Sequence, residues 1–181
     1  MGARPTPVES VETLPAIIRF SHGHFPAIQS GAGYRAHVRL DVEPSLDPDT
    51  YAFHHTLRVR FAETDAMGIV HHSRYLPYLE EARVEYLRDL GHPYSALREE
   101  GIDFAVLEAF VQYRQPLRFD DRVMVHLHLG SATRATFQIA YLLTVDDEVR
   151  ATAVTVHGCV NPDGRPVRMP KWLLELGGGA G

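Results

Sequence analysis

The sequence predicts an α+β domain in which an antiparallel sheet packs on one long helix. Three observations point there. A strand-like alternation is followed by a single segment with helical spacing, four further strand-like segments come in succession, and turn residues separate them. A lone helix ahead of consecutive strands lacks the strand–helix alternation of a parallel sheet, so the sheet is antiparallel and the helix covers one face. At 181 residues the chain sits in the single-domain range and can bury a real core.

Each element has its own justification. Residues 1–50 carry six of the twelve prolines and no sustained periodicity, so they read as an irregular or partly disordered N-terminal extension. The folded domain is expected over residues 51–172, with 173–181 as a flexible tail. Leu57, Val59 and Phe61 alternate with Thr56, Arg58 and Arg60, the period of two of a half-buried strand. Tyr75, Leu79, Ala82, Tyr86 and Leu90 then recur at spacings of three and four, which makes an amphipathic helix ending at Gly91 with Pro93 behind it. With Ser73 as N-cap, Pro77 would fall in the first turn, so the helix is expected to open irregularly. After a short connector, Phe104 to Leu117 forms an apolar, aromatic-rich strand closed by Pro116. Val123 to Leu129, Ala135 to Leu143 and Val149 to Val160 complete five strands, with turns at Asp120–Asp121, Gly130–Ser131 and Asn161 to Gly164.

Composition narrows the function classes. A formal net charge of −5 gives no basic field, which argues against nucleic acid as the main partner and leaves room for a local anion site. The apolar stretches fall short of the roughly 20 residues a membrane helix needs, so no membrane span is expected. The first residues lack the apolar core of a secretory signal, and Glu9 and Glu12 do not suit a transit peptide. The sole cysteine, Cys159, lies in a Val/Thr-rich strand and reads as a buried thiol, so a reducing, cytoplasmic setting is expected.

The chemistry concentrates in "RFAETDAMGIVHHSRYLPYLEEAR", Arg60 to Arg83, between the first strand and the helix. There backbone N–H groups lack partners and a helix dipole begins, so a carboxylate and main-chain donors can face one ligand. An aspartate before a helix, taken alone, is most often a cap or turn residue, and Gly68 taken alone is as readily a plain turn glycine.

The segment "TDAMGIVHHSRY" resembles the signature of the 4-hydroxybenzoyl-CoA thioesterase family, in particular the branch of short acyl-CoA thioesterases associated with the Tol-Pal envelope system. Thr64, Asp65, Gly68, Ile69, Val70, His72 and Tyr75 carry the match, which continues through "LEEAR", "DDRVMV" and "RMPKWL" and spans about residues 54–172. The resemblance implies the hotdog fold, a sheet wrapped around its central helix, with protomers pairing as dimers or tetramers. It implies an acyl-CoA substrate, Asp65 as nucleophile or general base, and the backbone N–H at His72 as oxyanion donor. Gly68 supplies the tight turn, Tyr75 completes the substrate site, and Arg134 sits where the family often carries a basic residue near the CoA phosphates. Members commonly have tyrosine where this chain has Phe61, which puts in doubt any mechanism needing that hydroxyl.

Competing readings are kept in view. Other hotdog thioesterases place the catalytic carboxylate on the helix, where this chain has Glu80 and Glu81; a solvated or paired role suits these two better. His71 and His72 are adjacent and would diverge by about 100° on a helix, so no metal and no cofactor is expected. A hotdog that only binds acyl-CoA is the alternative function, since fold alone does not settle activity.

Overall fold

The computed structural model describes residues 40–178. Its strands are β1 (Phe53–Arg58), β2 (Asp103–Tyr113), β3 (Arg122–Ala132), β4 (Thr136–Val145) and β5 (Glu148–Val160). They form one antiparallel sheet in the order β1-β3-β4-β5-β2, curved around α1 (Tyr75–Asp89). Short helices α2 (Tyr94–Glu99) and α3 (Lys171–Leu176) flank it. This is the α+β hotdog architecture expected from the sequence.

Register decides what the helix covers. The pairs Leu57↔Val123, Leu127↔Tyr141 and Val125↔Leu143 place alternate residues of neighbouring strands on one face, and these side chains are buried against α1. Tyr75, Tyr78, Leu79, Ala82 and Leu87 fill that face from the helix side. A fully buried leucine such as Leu87 contributes about 1.5–3 kcal/mol by leaving water. The buried stripe is rotated from the expected one: Tyr78 and Leu87 lie inside, while Tyr86 and Leu90 are only half-buried. The curved sheet touches a wider arc of the helix than a single row of residues, and Tyr86 instead packs on Phe53 at 5.2 Å.

The helix does open irregularly. A single 3₁₀ turn, His72–Arg74, precedes Tyr75, and its N-cap is His71 rather than Ser73. At the other end Gly91 takes φ +82°, the left-handed conformation that closes helices. The segment read as a plain connector contains α2, which is too short to show an apolar stripe and buries only Leu97.

Packing continues beyond residues 51–172 at both ends. Leu173 of α3 is buried in the core, inside the stretch expected to be a tail. On the outer face of the sheet, Asp41 N–H donates to Gln138 Oε1, Val42 lies over Gly130, and Tyr51 packs against His126 and His128. The part of the N-terminal extension before residue 40 lies outside the described residues. No helix among the described residues is long and apolar enough to cross a membrane.

Candidate active site

The segment after β1 is a loop tied at its neck and sharply turned at its tip. A 3₁₀ turn at Phe61–Glu63 buries the Glu63 carboxylate, and the backbone N–H of His71 donates to the Glu63 carbonyl at 2.9 Å. Thr64 and Val70 bridge across the loop, and Asp65 N–H donates to the Ile69 carbonyl at 2.9 Å. At the tip Gly68 N–H returns to the Asp65 carbonyl, also at 2.9 Å, with Gly68 at φ +72°. A glycine meets that requirement without the steric penalty of a Cβ. The far side of the loop is held by Val70 N–H to the Leu117 carbonyl at 2.8 Å.

Asp65 is half-buried, and its Oδ1 accepts the Met67 N–H at 2.8 Å. That bond fixes the carboxylate and leaves Oδ2 for a reacting partner. Asp65 and His72 line one cleft of ≈ 370 Å³, together with Met67, Ile69, Val70, Tyr75, Tyr113, Arg114, Gln115 and Pro116. His72 opens the turn that leads into α1, so its amide is among the N–H groups a helix leaves without an internal acceptor. Tyr113 steadies this turn by donating its hydroxyl to the His72 carbonyl at 3.2 Å.

Tyr75 is buried in the cleft wall, edge-on to Tyr113 with ring centroids 4.8 Å apart. Burial pushes its phenol up to about 12, so it stays a neutral hydrogen-bonding group. The Glu63 carboxylate shows the opposite balance. Burial alone would raise it, yet hydrogen bonds from Tyr78 and from the backbone and guanidinium of Arg60 outweigh burial and hold it below the usual carboxylate range.

The structure therefore brings Asp65, His72 and Tyr75 together and places Gly68 at the turn that presents Asp65. It does not bring Arg134 to them. Arg134 lies in the β3–β4 turn, whereas the loop bearing Asp65 leaves the sheet beside the start of β3, so roughly 30 Å of strand separates the two ends. The cation at this cleft is Arg114, read from the sequence only as the end of a strand. Its one local signal was the nearby Pro116, which marks where the strand turns out of the sheet.

Glu80 and Glu81 are exposed and outside the cleft, with Glu81 paired to His55 at 3.0 Å. Phe61 is 74% exposed and packs edge-on against Phe119, so it too lies outside the cleft. The His71 and His72 rings do not diverge; their centroids are 4.0 Å apart, because His71 is the extended cap rather than a helical residue. Among the described residues no three His, Cys, Asp or Glu side chains are grouped to hold a metal ion.

The chain is similar to proteins with these elements in this order. It is 33% identical over 121 residues to the acyl-CoA thioesterase YbgC of Haemophilus influenzae, covering 66% of this chain and 89% of that protein. A crystal structure of a hypothetical protein from Aquifex aeolicus superposes with a TM-score of 0.65 at 45% identity, covering 69% of this chain and 98% of the other. The BH1999 gentisyl-coenzyme A thioesterase superposes with a TM-score of 0.63 at 28% identity, over 66% and 97% of the two chains. Residues 59–176, from the last residues before the Asp65 loop to the end of α3, match the family described as the thioesterase-like superfamily, and the chain belongs to it.

Proposed function

We propose that this protein hydrolyses the thioester of an acyl-CoA to free acid and CoA, with Asp65 as the reacting carboxylate and the His72 amide as oxyanion donor. The observation that carries the reading is that Asp65 and the turn beginning at His72 face one cleft from opposite arms of a tied loop. A thioester carbonyl seated between them meets a carboxylate on one side and a main-chain donor on the other. As general base, Asp65 takes a proton from water as its oxygen attacks the carbonyl carbon. The oxyanion rests on the His72 amide, and collapse expels the CoA thiolate, which takes up the proton. As nucleophile, Asp65 attacks the carbonyl carbon and expels the CoA thiolate, forming a mixed anhydride that water then splits. Attack at the aspartyl carbon places solvent oxygen in the aspartate side chain, and attack at the acyl carbon places it in the released acid. Label in the Asp65 peptide after single turnover in ¹⁸O-water, read by mass spectrometry, establishes the anhydride route, and trapping of the acylated Asp65 peptide by rapid quench tests it when water attacks the acyl carbon.

The cleft wall of Ile69, Val70, Tyr75 and Tyr113 suits an apolar or aromatic acyl group, and the motif resemblance favours the short-acyl branch. Arg114 at the cleft is better placed than Arg134 to meet a CoA phosphate of a ligand held by the same protomer. Among the described residues β2 is an edge strand, and its exposed Val106 and Leu107 support assembly as a homodimer or tetramer. A cytoplasmic location accords with a CoA substrate. The test is free-thiol release from a panel of acyl-CoAs. Hydrolysis of at least one supports the reading, and tight acyl-CoA binding without turnover replaces it with a binding function.

A further inference from the structure

Beneath the loop sits a carboxylate that the proposed chemistry does not use. Glu63 is 4% exposed and holds four donors. Its Oε1 accepts Arg60 Nε at 2.9 Å and Nη2 at 2.6 Å, and its Oε2 accepts the Arg60 backbone N–H at 2.8 Å and the Tyr78 hydroxyl at 2.6 Å. Tyr78 is itself buried on α1. Glu63 thus links the loop that carries Asp65 to the helix that begins just after His72.

A buried ionised group is costly unless its lone pairs are satisfied, and here the four donors satisfy them. The cost of breaking the cluster makes it stiff. Its backbone adds a second tie, the His71 N–H on the Glu63 carbonyl at 2.9 Å. Asp65 lies two residues beyond Glu63, and His72 follows His71. A shift of the Glu63 side chain is therefore transmitted to the placement of Asp65 relative to α1.

We propose that Glu63 is the positioning residue of the site, its buried carboxylate locking the Asp65 loop to α1 through Tyr78 so that Asp65 stands at reacting distance in the cleft. The inference rests on the reading of Asp65 as the reacting carboxylate. Glu63 does not touch substrate.

The test is thiol release by Glu63→Gln and Tyr78→Phe. A neutral amide cannot accept four donors on two oxygens, and phenylalanine removes one donor while keeping the ring. Both variants are expected to lose about tenfold or more in kcat with KM changed less than about threefold, because a misplaced reacting group lowers turnover rather than binding. The double variant is expected to match the worse single one, since both cut the same link. In an Asp65→Asn background neither is expected to lower the residual rate further, whereas a purely structural loss would multiply through. Far-UV circular dichroism and urea midpoints check folding; if Glu63→Gln does not fold, Tyr78→Phe carries the test. Parent kcat in folded Tyr78→Phe, or losses that multiply in the Asp65→Asn background, overturn the proposal. Parent turnover in Asp65→Asn instead removes the catalytic reading of Asp65, which identifies that failure separately.

Discussion

Replacing Gly68 by alanine separates backbone conformation from packing at the site. Gly68 holds φ +72°, and a Cβ built there has no heavy atom within 4 Å, so a methyl group clashes with nothing outside the local backbone. The penalty is then the left-handed conformation itself, roughly 1–2 kcal/mol for an ordinary L-residue, offset by roughly 0.4–1 kcal/mol from the stiffer unfolded chain. A net loss of about 1 kcal/mol is expected, a fall of roughly 2–4 °C in Tm for a chain of this size. Asparagine tolerates this region better and is expected to cost less, while β-branched valine costs more. Urea unfolding of Gly68→Asn, →Ala and →Val at constant m reads the series, and thiol release follows whether the displaced turn takes Asp65 with it. A loss above about 3 kcal/mol for alanine, or asparagine as damaging as valine, would show that the turn is held by something other than φ.

Three other outcomes follow from the same structure. A chain starting at Tyr51 is expected to lose the Val42 cover of the outer face and about 1–2 kcal/mol relative to the full-length protein; equal urea midpoints would contradict this. Stability is expected to fall in acid in two steps. His126, His128 and His157 are held below the ordinary imidazole value chiefly by burial, so stability is lost as pH drops below that ordinary value towards their folded ones. Glu63, held low in the fold, stabilises above the ordinary carboxylate value and is lost as pH falls through its folded value; Tm against pH for Glu63→Gln should lack this second step. Finally, burial pushes the Cys159 thiol up to about 11, so native protein should resist a thiol reagent that labels it once unfolded; rapid native labelling would refute its burial.

Much of this was legible in the chain because it is local or periodic. The alternation in β1 and the three-and-four spacing of α1 gave the elements, and the segment Thr64 to Tyr75 gave the loop that presents Asp65. The hidden parts depend on tertiary placement. Phe61 continues the alternation of β1, yet it lies past the end of that strand in a turn facing solvent, where the period no longer applies. Arg134 reads in the sequence as part of a strand start, and only the direction of β3 shows that the β3–β4 turn holding it is at the far end from Asp65. Glu63 looked like any polar neighbour of a motif, because its burial comes from Tyr78, 15 residues away on another element. Arg114 joins the cleft because β2 is long enough to carry it there, a matter of strand length that composition does not encode.

The most direct measurement is thiol release by Asp65→Asn beside the parent protein, on whichever acyl-CoA the parent turns over fastest. Asparagine preserves the shape and can still accept the Met67 N–H through its carbonyl oxygen, while losing the negative charge needed to attack or to take a proton. Turnover is expected to drop by more than about a hundredfold with circular dichroism and acyl-CoA binding unchanged. Near-parent turnover in Asp65→Asn, with loss instead in Glu80→Gln or Glu81→Gln, would place the reacting carboxylate on the helix and contradict the assignment of the loop.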